Sequence, residues 1–117
     1  MTKSIEDFFA AWAVEDADKR SDMIKSAVAE PVFYADPRTE APVTTMDALI
    51  EYVGMFSKMA PGMAVAATNV STTLTFARAT VQFGTGERSQ TGQYICDLND
   101  AGQITRMIGF VGMGEPS

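Results

Sequence analysis

The first apolar pattern along the chain is helical. Ile5, Phe8, Phe9 and Trp12 recur three and four residues apart, which predicts an amphipathic helix from Ser4 to Val14 with Ser4 as its cap and Asp7 three residues on. Met23, Ile24, Ala27 and Val28 form the stripe of a second helix, about Asp18 to Ala29, which Pro31 stops. The pattern then changes. Val32 to Asp36 reads as a short strand, and Pro37 with the polar run Arg38 to Thr44 reads as a loop. Helical spacing returns in Met46, Leu49, Ile50, Val53 and Phe56, giving a third helix from about Thr45 to Met59 that Pro61-Gly62 ends.

The remaining regular structure reads as strand: Met63 to Val70, Leu74 to Phe83, Ser89 to Leu98 and Gln103 to Val111, all rich in Thr, Val, Phe and Ile. Gly84-Thr85-Gly86 and Asn99-Asp100-Ala101-Gly102 suit hairpins, whereas the break at Ser71 to Thr73 has neither glycine nor proline to mark it. On the second of these strands Ala77, Ala79, Val81 and Phe83 share one face, with Arg78, Thr80 and Gln82 on the other. This order defines an α+β fold with helices laid on one face of a curved antiparallel sheet, and residues 1–117 read as one domain.

Charge and composition remove whole classes of function. The net charge of −6, with no basic run, makes nucleic acid a poor partner. The acidic residues around the short apolar run Phe8 to Val14 fit neither a signal sequence nor a membrane span, so a cytoplasmic protein is expected. With no histidine and one cysteine, the chain has no Ser-His or Cys-His pair, no histidine metal site and no internal disulfide. Cys96 reads as a small core hydrophobe. The acidic clusters read as solvated helix ends and turns, so neither a metal nor a cofactor is expected. What remains is a stock of 8 Met, 7 Phe, 3 Tyr and 1 Trp suited to lining an apolar cavity.

The element order, Phe33-Tyr34-Ala35-Asp36-Pro37, the later Asp47-Ala48-Leu49 and the closing run Gly92 to Gly112 resemble the nuclear transport factor 2-like (NTF2-like) superfamily, above all its ketosteroid isomerase and SnoaL-like polyketide cyclase branches. The resemblance spans about Phe8 to Val111. It implies a cone: three N-terminal helices on a curved mixed, mostly antiparallel sheet, enclosing a pocket. It also implies that Asp36, before Pro37, stands where the isomerases keep the base that moves the proton. Their first-helix tyrosine falls on Phe8, so that oxyanion donor is missing, a loss that typically costs about 100- to 1000-fold in rate. Steroid isomerisation therefore does not fit. Their second donor falls on Tyr94, whose phenol can still donate. A supporting tyrosine falls at or near Val53, with the adjacent Tyr52 roughly 100° away around the helix. Met107 and Val111 fall on pocket positions of the last strand.

Each of these residues also has a plain structural reading. Asp36 before Pro37 can cap its loop, Tyr94 can be a core aromatic with its hydroxyl at a rim, and Trp12 can be packing. Tyr34, two residues from Asp36, is placed to line the pocket or to bond the carboxylate. The functional expectation is a protein that binds an apolar or aromatic small molecule, with Asp36 and Tyr94 as polar anchors and proton-transfer catalysis of isomerase or cyclase type as their chemistry. Phe8, Trp12, Tyr34, Val53, Phe56, Met59, Phe83, Met107 and Val111 are the expected lining. The rival is a noncatalytic binding or assembly module whose cone is filled by its own side chains or holds a ligand unchanged. Relatives also imply a homodimer through the outer sheet face.

Overall fold

The structure is a computed structural model that describes residues 2–112. Three helices precede the main sheet: α1 (Lys3–Ala11), α2 (Ala17–Ala27) and α3 (Met46–Met59). The strands are β1 (Tyr34–Ala35), β2 (Val65–Thr73), β3 (Phe76–Phe83), β4 (Gln90–Leu98) and β5 (Ile104–Val111). They form one five-stranded sheet in the order β1-β5-β4-β3-β2. β1 runs parallel to β5, and every other neighbour is antiparallel.

The helix ends differ from expectation for local reasons. Ser4 does not cap α1: its hydroxyl donates to the carbonyl of Gly102 at 2.6 Å, which ties the helix to the β4–β5 turn. Asp16 caps α2 by accepting from the amides of Asp18 and Lys19, at 2.9 and 3.2 Å. Thr45 caps α3 by accepting from the amide of Ala48 at 3.2 Å. The buried Arg20 of α2 donates to the carbonyl of Val14 at 2.8 Å, supplying a partner where α1 has run out. Its guanidinium also lies against Gly54, where a Cβ would stand 3.3 Å from it. One side chain thus joins the end of α1 to α3.

The weakly marked break at Ser71 to Thr73 proves to be a two-residue turn just beyond it, at Leu74-Thr75. β2 continues to Thr73, which pairs with Phe76, and Leu74 takes φ +54° at the tip. A glycine would have announced that conformation; an exposed leucine does not. β1 is likewise shorter than expected, although the carbonyl of Phe33 still accepts from the amide of Met107 at 2.9 Å.

Alternation along β3, β4 and β5 gives the sheet a buried inner face of Ala77, Ala79, Val81, Tyr94, Cys96 and Met107, against which Ile5, Phe8, Phe9 and Trp12 of the first helical segment are buried. One contact there admits no other residue type. Tyr94 lies directly across the ladder from Gly109, and a Cβ on that glycine would stand 2.5 Å from the tyrosine ring. The absent side chain is the seat of the ring. Gly109→Ala is expected to cost about 1–3 kcal/mol, the usual scale of overpacking. Combining it with Tyr94→Ala should recover part of that loss, so a double-mutant cycle by urea denaturation checks the contact; strictly additive losses would show that the ring does not rest there.

Candidate functional site

The chain has three tyrosines, and the fold brings all of them to Asp36. Tyr34 and Asp36 lie two residues apart, so the short extended segment at β1 sends both side chains the same way. The Tyr34 hydroxyl donates to Asp36 Oδ2 at 2.6 Å. Tyr52, from the middle of α3, donates to the same oxygen at 2.6 Å. Tyr94 reaches inward from β4 to the Tyr34 hydroxyl at 3.4 Å, a long contact. The other carboxylate oxygen, Oδ1, accepts from the amide of Arg38 at 2.9 Å. Asp36 therefore caps its loop beyond Pro37, as its plain structural reading anticipates, and also accepts from two phenols, a cluster that the sequence reading did not foresee.

Direction follows from counting protons. A phenol has one hydrogen to donate, and an ionised carboxylate only accepts. Tyr34 and Tyr52 both spend theirs on Oδ2, so any bond between Tyr94 and Tyr34 is donated by Tyr94. Each ring also resists ionisation. Burial raises the Tyr34 phenol well above its ordinary value, with the neighbouring Tyr94 and Asp36 adding to it. Burial and then the bond to Asp36 raise Tyr52, and burial pushes Tyr94 up to about 12. Cys96, on the same strand face as Tyr94, is also pushed up to about 12 by burial, which leaves it a thiol and a poor nucleophile.

Around this polar centre stands a shell of rings. Phe9 packs on Tyr94 with centroids 4.7 Å apart. Trp12 touches Tyr34 at 6.4 Å, Tyr52 at 6.1 Å, Phe56 at 5.0 Å and Phe83 at 5.7 Å. Phe8 closes against Phe9, Trp12 and Tyr34. The indole Nε1 of Trp12 is buried and has no hydrogen-bond partner among the described residues.

The anticipated residues separate into three groups. Asp36, Tyr34, Tyr94, Phe8, Trp12, Phe56 and Phe83 meet in this cluster. Val53 and Met107 are buried in the core that contains it. Met59 and Val111 do not reach it: they are 77% and 79% exposed, because each ends its element where nothing packs over it. Tyr52 corrects the reading of α3. It is Tyr52 and not Val53 that faces the carboxylate, for Val53 turns into the core. Phe9 was not anticipated beyond its place in the helix stripe, and Gly109 was not anticipated at all; its only signal is a glycine inside a strand pattern, which marks a close approach.

Two surface clefts lie away from the cluster. One, of about 650 Å³, is lined by residues such as Lys25, Glu30, Asp47 and Gln103. The other, of about 370 Å³, is formed by residues 60–64 with Gly84 and Thr85. No helix among the described residues is long and apolar enough to cross a membrane.

These features define an NTF2-like α+β fold of three helices and a five-stranded mixed sheet. Among solved structures, the chain is similar to a SnoaL-like family protein from Agrobacterium tumefaciens, provisionally named an isomerase, at 21% identity and TM-score 0.83 over 95% of this chain and 96% of that one. It is similar to a protein of ketosteroid isomerase-like fold from Catenulispora acidiphila, solved with trimethylamine, at 12% identity and TM-score 0.75 over 95% and 86% of the two chains. A designed NTF2-fold protein matches at 12% identity and TM-score 0.69 over 94% and 82%. No family model and no curated protein matches the sequence.

Because every tyrosine belongs to the network, absorbance at 295 nm reads it without interference. The folded state holds the phenols in their protonated form, so their contribution to stability is complete below pH 10, the ordinary phenol value, and is lost as pH rises toward the folded values of about 12 and above. The expected result is no tyrosinate near pH 10 in the folded protein, and an unfolding midpoint that falls from pH 10 upward. A tyrosine titrating at 10 in the folded protein would show that it stands outside the network.

Proposed function

We propose that this protein binds a neutral apolar or aromatic small molecule in the interior between the helices and the inner face of the sheet, with the Asp36 cluster as its polar anchor. One observation carries the reading: a carboxylate and three phenols converge inside a shell of aromatic rings. Packing alone does not call for such a group. Apolar residues of similar volume would serve a core as well or better, since each buried polar atom must recover the cost of leaving water. Tyr52, Phe56 and Phe83 are only half-buried, and all three pack against Trp12. They are the proposed way in.

The outer sheet face is the proposed meeting surface of two copies. Phe76, Ile95 and Phe110 are exposed there on β3, β4 and β5, in the alternation opposite to the buried inner residues. Native mass spectrometry of freshly purified protein at micromolar concentration reads both features. The expected spectrum is that of a dimer carrying a bound small molecule that dissociates on collisional activation. A bare monomer, unshifted in thermal stability by added aromatic compounds, would oppose both.

A catalytic reading rests on the same carboxylate. Asp36 Oδ2 is engaged by two phenols and Oδ1 by one amide, which leaves Oδ1 a free lone-pair direction in a position fixed from both sides. A held carboxylate of that kind suits removal of a proton from a carbon beside a carbonyl. Deuterium exchange at the α-carbon of 2-tetralone in D2O, followed by proton NMR, is the test. Exchange above background that falls at least 100-fold in Asp36→Asn is the expected outcome for an enzyme, on the scale usual for loss of a general base. Binding with no exchange would leave a binder.

A further inference from the structure

We infer that Trp12 supplies the hydrogen bond that orients the ligand, its indole N–H donating to a neutral oxygen acceptor such as a ketone. The inference deepens the binding reading given above and rests on it.

The argument is one of hydrogen supply. Within the cluster, Tyr34 and Tyr52 direct their hydroxyl protons to Asp36 at 2.6 Å, and Tyr94 has the Tyr34 oxygen within reach at 3.4 Å. Each phenol has an acceptor. Trp12 Nε1 is the one donor of the cluster with none among the described residues, although its side chain is 96% buried. An indole nitrogen can only donate, and a buried donor left unmade costs about 1–3 kcal/mol. Cores seldom carry such a group without a reason.

The surroundings limit what can satisfy it. Six rings flank the indole, and four of them, Phe8, Phe9, Phe56 and Phe83, carry no polar atom. A buried water needs two to four polar partners, and four of the six rings supply none. A ligand oxygen needs only the one N–H and brings an apolar body that fits against the rings. An anionic acceptor is disfavoured by the Asp36 carboxylate near the rings of Tyr34 and Tyr52, both of which Trp12 touches. The chemistry thus selects a neutral carbonyl on an apolar or aromatic frame.

Trp12 also stands one helical turn beyond Phe8 on the same stripe. Two compounds of matched shape test the assignment: 2-acetonaphthone, which has the ketone, and 2-ethylnaphthalene, which lacks it. By calorimetric titration, the ratio of ketone to hydrocarbon affinity should fall about five- to tenfold in Trp12→Phe relative to the natural protein, the worth of one neutral hydrogen bond. Taking the ratio cancels the cost of desolvating the ketone and the change in packing. Because Trp12 is the sole tryptophan, the natural protein also shows a single indole N–H cross-peak, which should move downfield with the ketone and not with the hydrocarbon. That readout holds if the variant does not fold. Binding of both compounds with an unchanged ratio and an unmoved indole proton would overturn the role of Trp12 while leaving the pocket; failure of both to bind would overturn the pocket and this assignment with it.

Discussion

A carboxylate partly withdrawn from water needs donors, and the arrangement of this molecule around the half-buried Asp36 supplies them. Backbone amides can meet that need only in part, and here one does: the amide of Arg38, one residue beyond Pro37. The other oxygen is met by phenols that arrive from β1 and α3, with β4 contributing a third behind them. Each arrival sets a condition on the fold. Parallel pairing of Tyr34 with Met107 places the anion at one edge of the sheet. The Thr45 cap sets where α3 begins and hence which side of the helix Tyr52 occupies. Gly109 yields the space that lets the Tyr94 ring lie flat on the sheet.

Much of this was legible in the sequence, and the parts that were not have physical reasons. The helix stripes and strand alternation are burial patterns repeated over many residues, so the element order and the inner sheet face follow from them. Asp36, Tyr34 and Tyr94 were legible through motif position and strand parity. Tyr52 is not, because a family pattern places a helical residue only to within about one position, and one position turns a side chain by about 100°. Met59 and Val111 were misplaced for another reason: periodicity reports which face a residue shares, not whether a neighbour exists to cover it at the end of an element. The turn at Leu74 lacked the glycine that such a backbone usually brings.

The likeness to solved structures and the reading of the site carry different information. A designed protein shares this fold at 12% identity, so three helices on a mixed sheet are attainable from sequences with no reaction behind them. The fold explains why a carboxylate at the end of β1 and aromatics on α1 and β4 come together. It does not explain why these positions hold Asp, Tyr and Trp when apolar residues would satisfy the packing. That choice belongs to this chain, and the polar groups inside the aromatic shell are where function must be sought.

The absence of histidine sharpens this point into a constraint on mechanism. Besides Arg38, the other titratable groups in and beside the cluster are Cys96 and the three tyrosines, and burial holds the thiol and the phenols in their protonated forms through and beyond neutral pH. None of them can trade protons with a ligand as an imidazole would. Two of the tyrosines act as fixed donors to Asp36 and the third meets Tyr34, so the hydrogen-bond pattern of the site is set when the chain folds. Such a pattern favours recognition by shape and by hydrogen-bond direction over chemistry that depends on cycling between protonation states. The catalytic reading proposed above accordingly rests on Asp36, the group that accepts from two of these phenols and one amide.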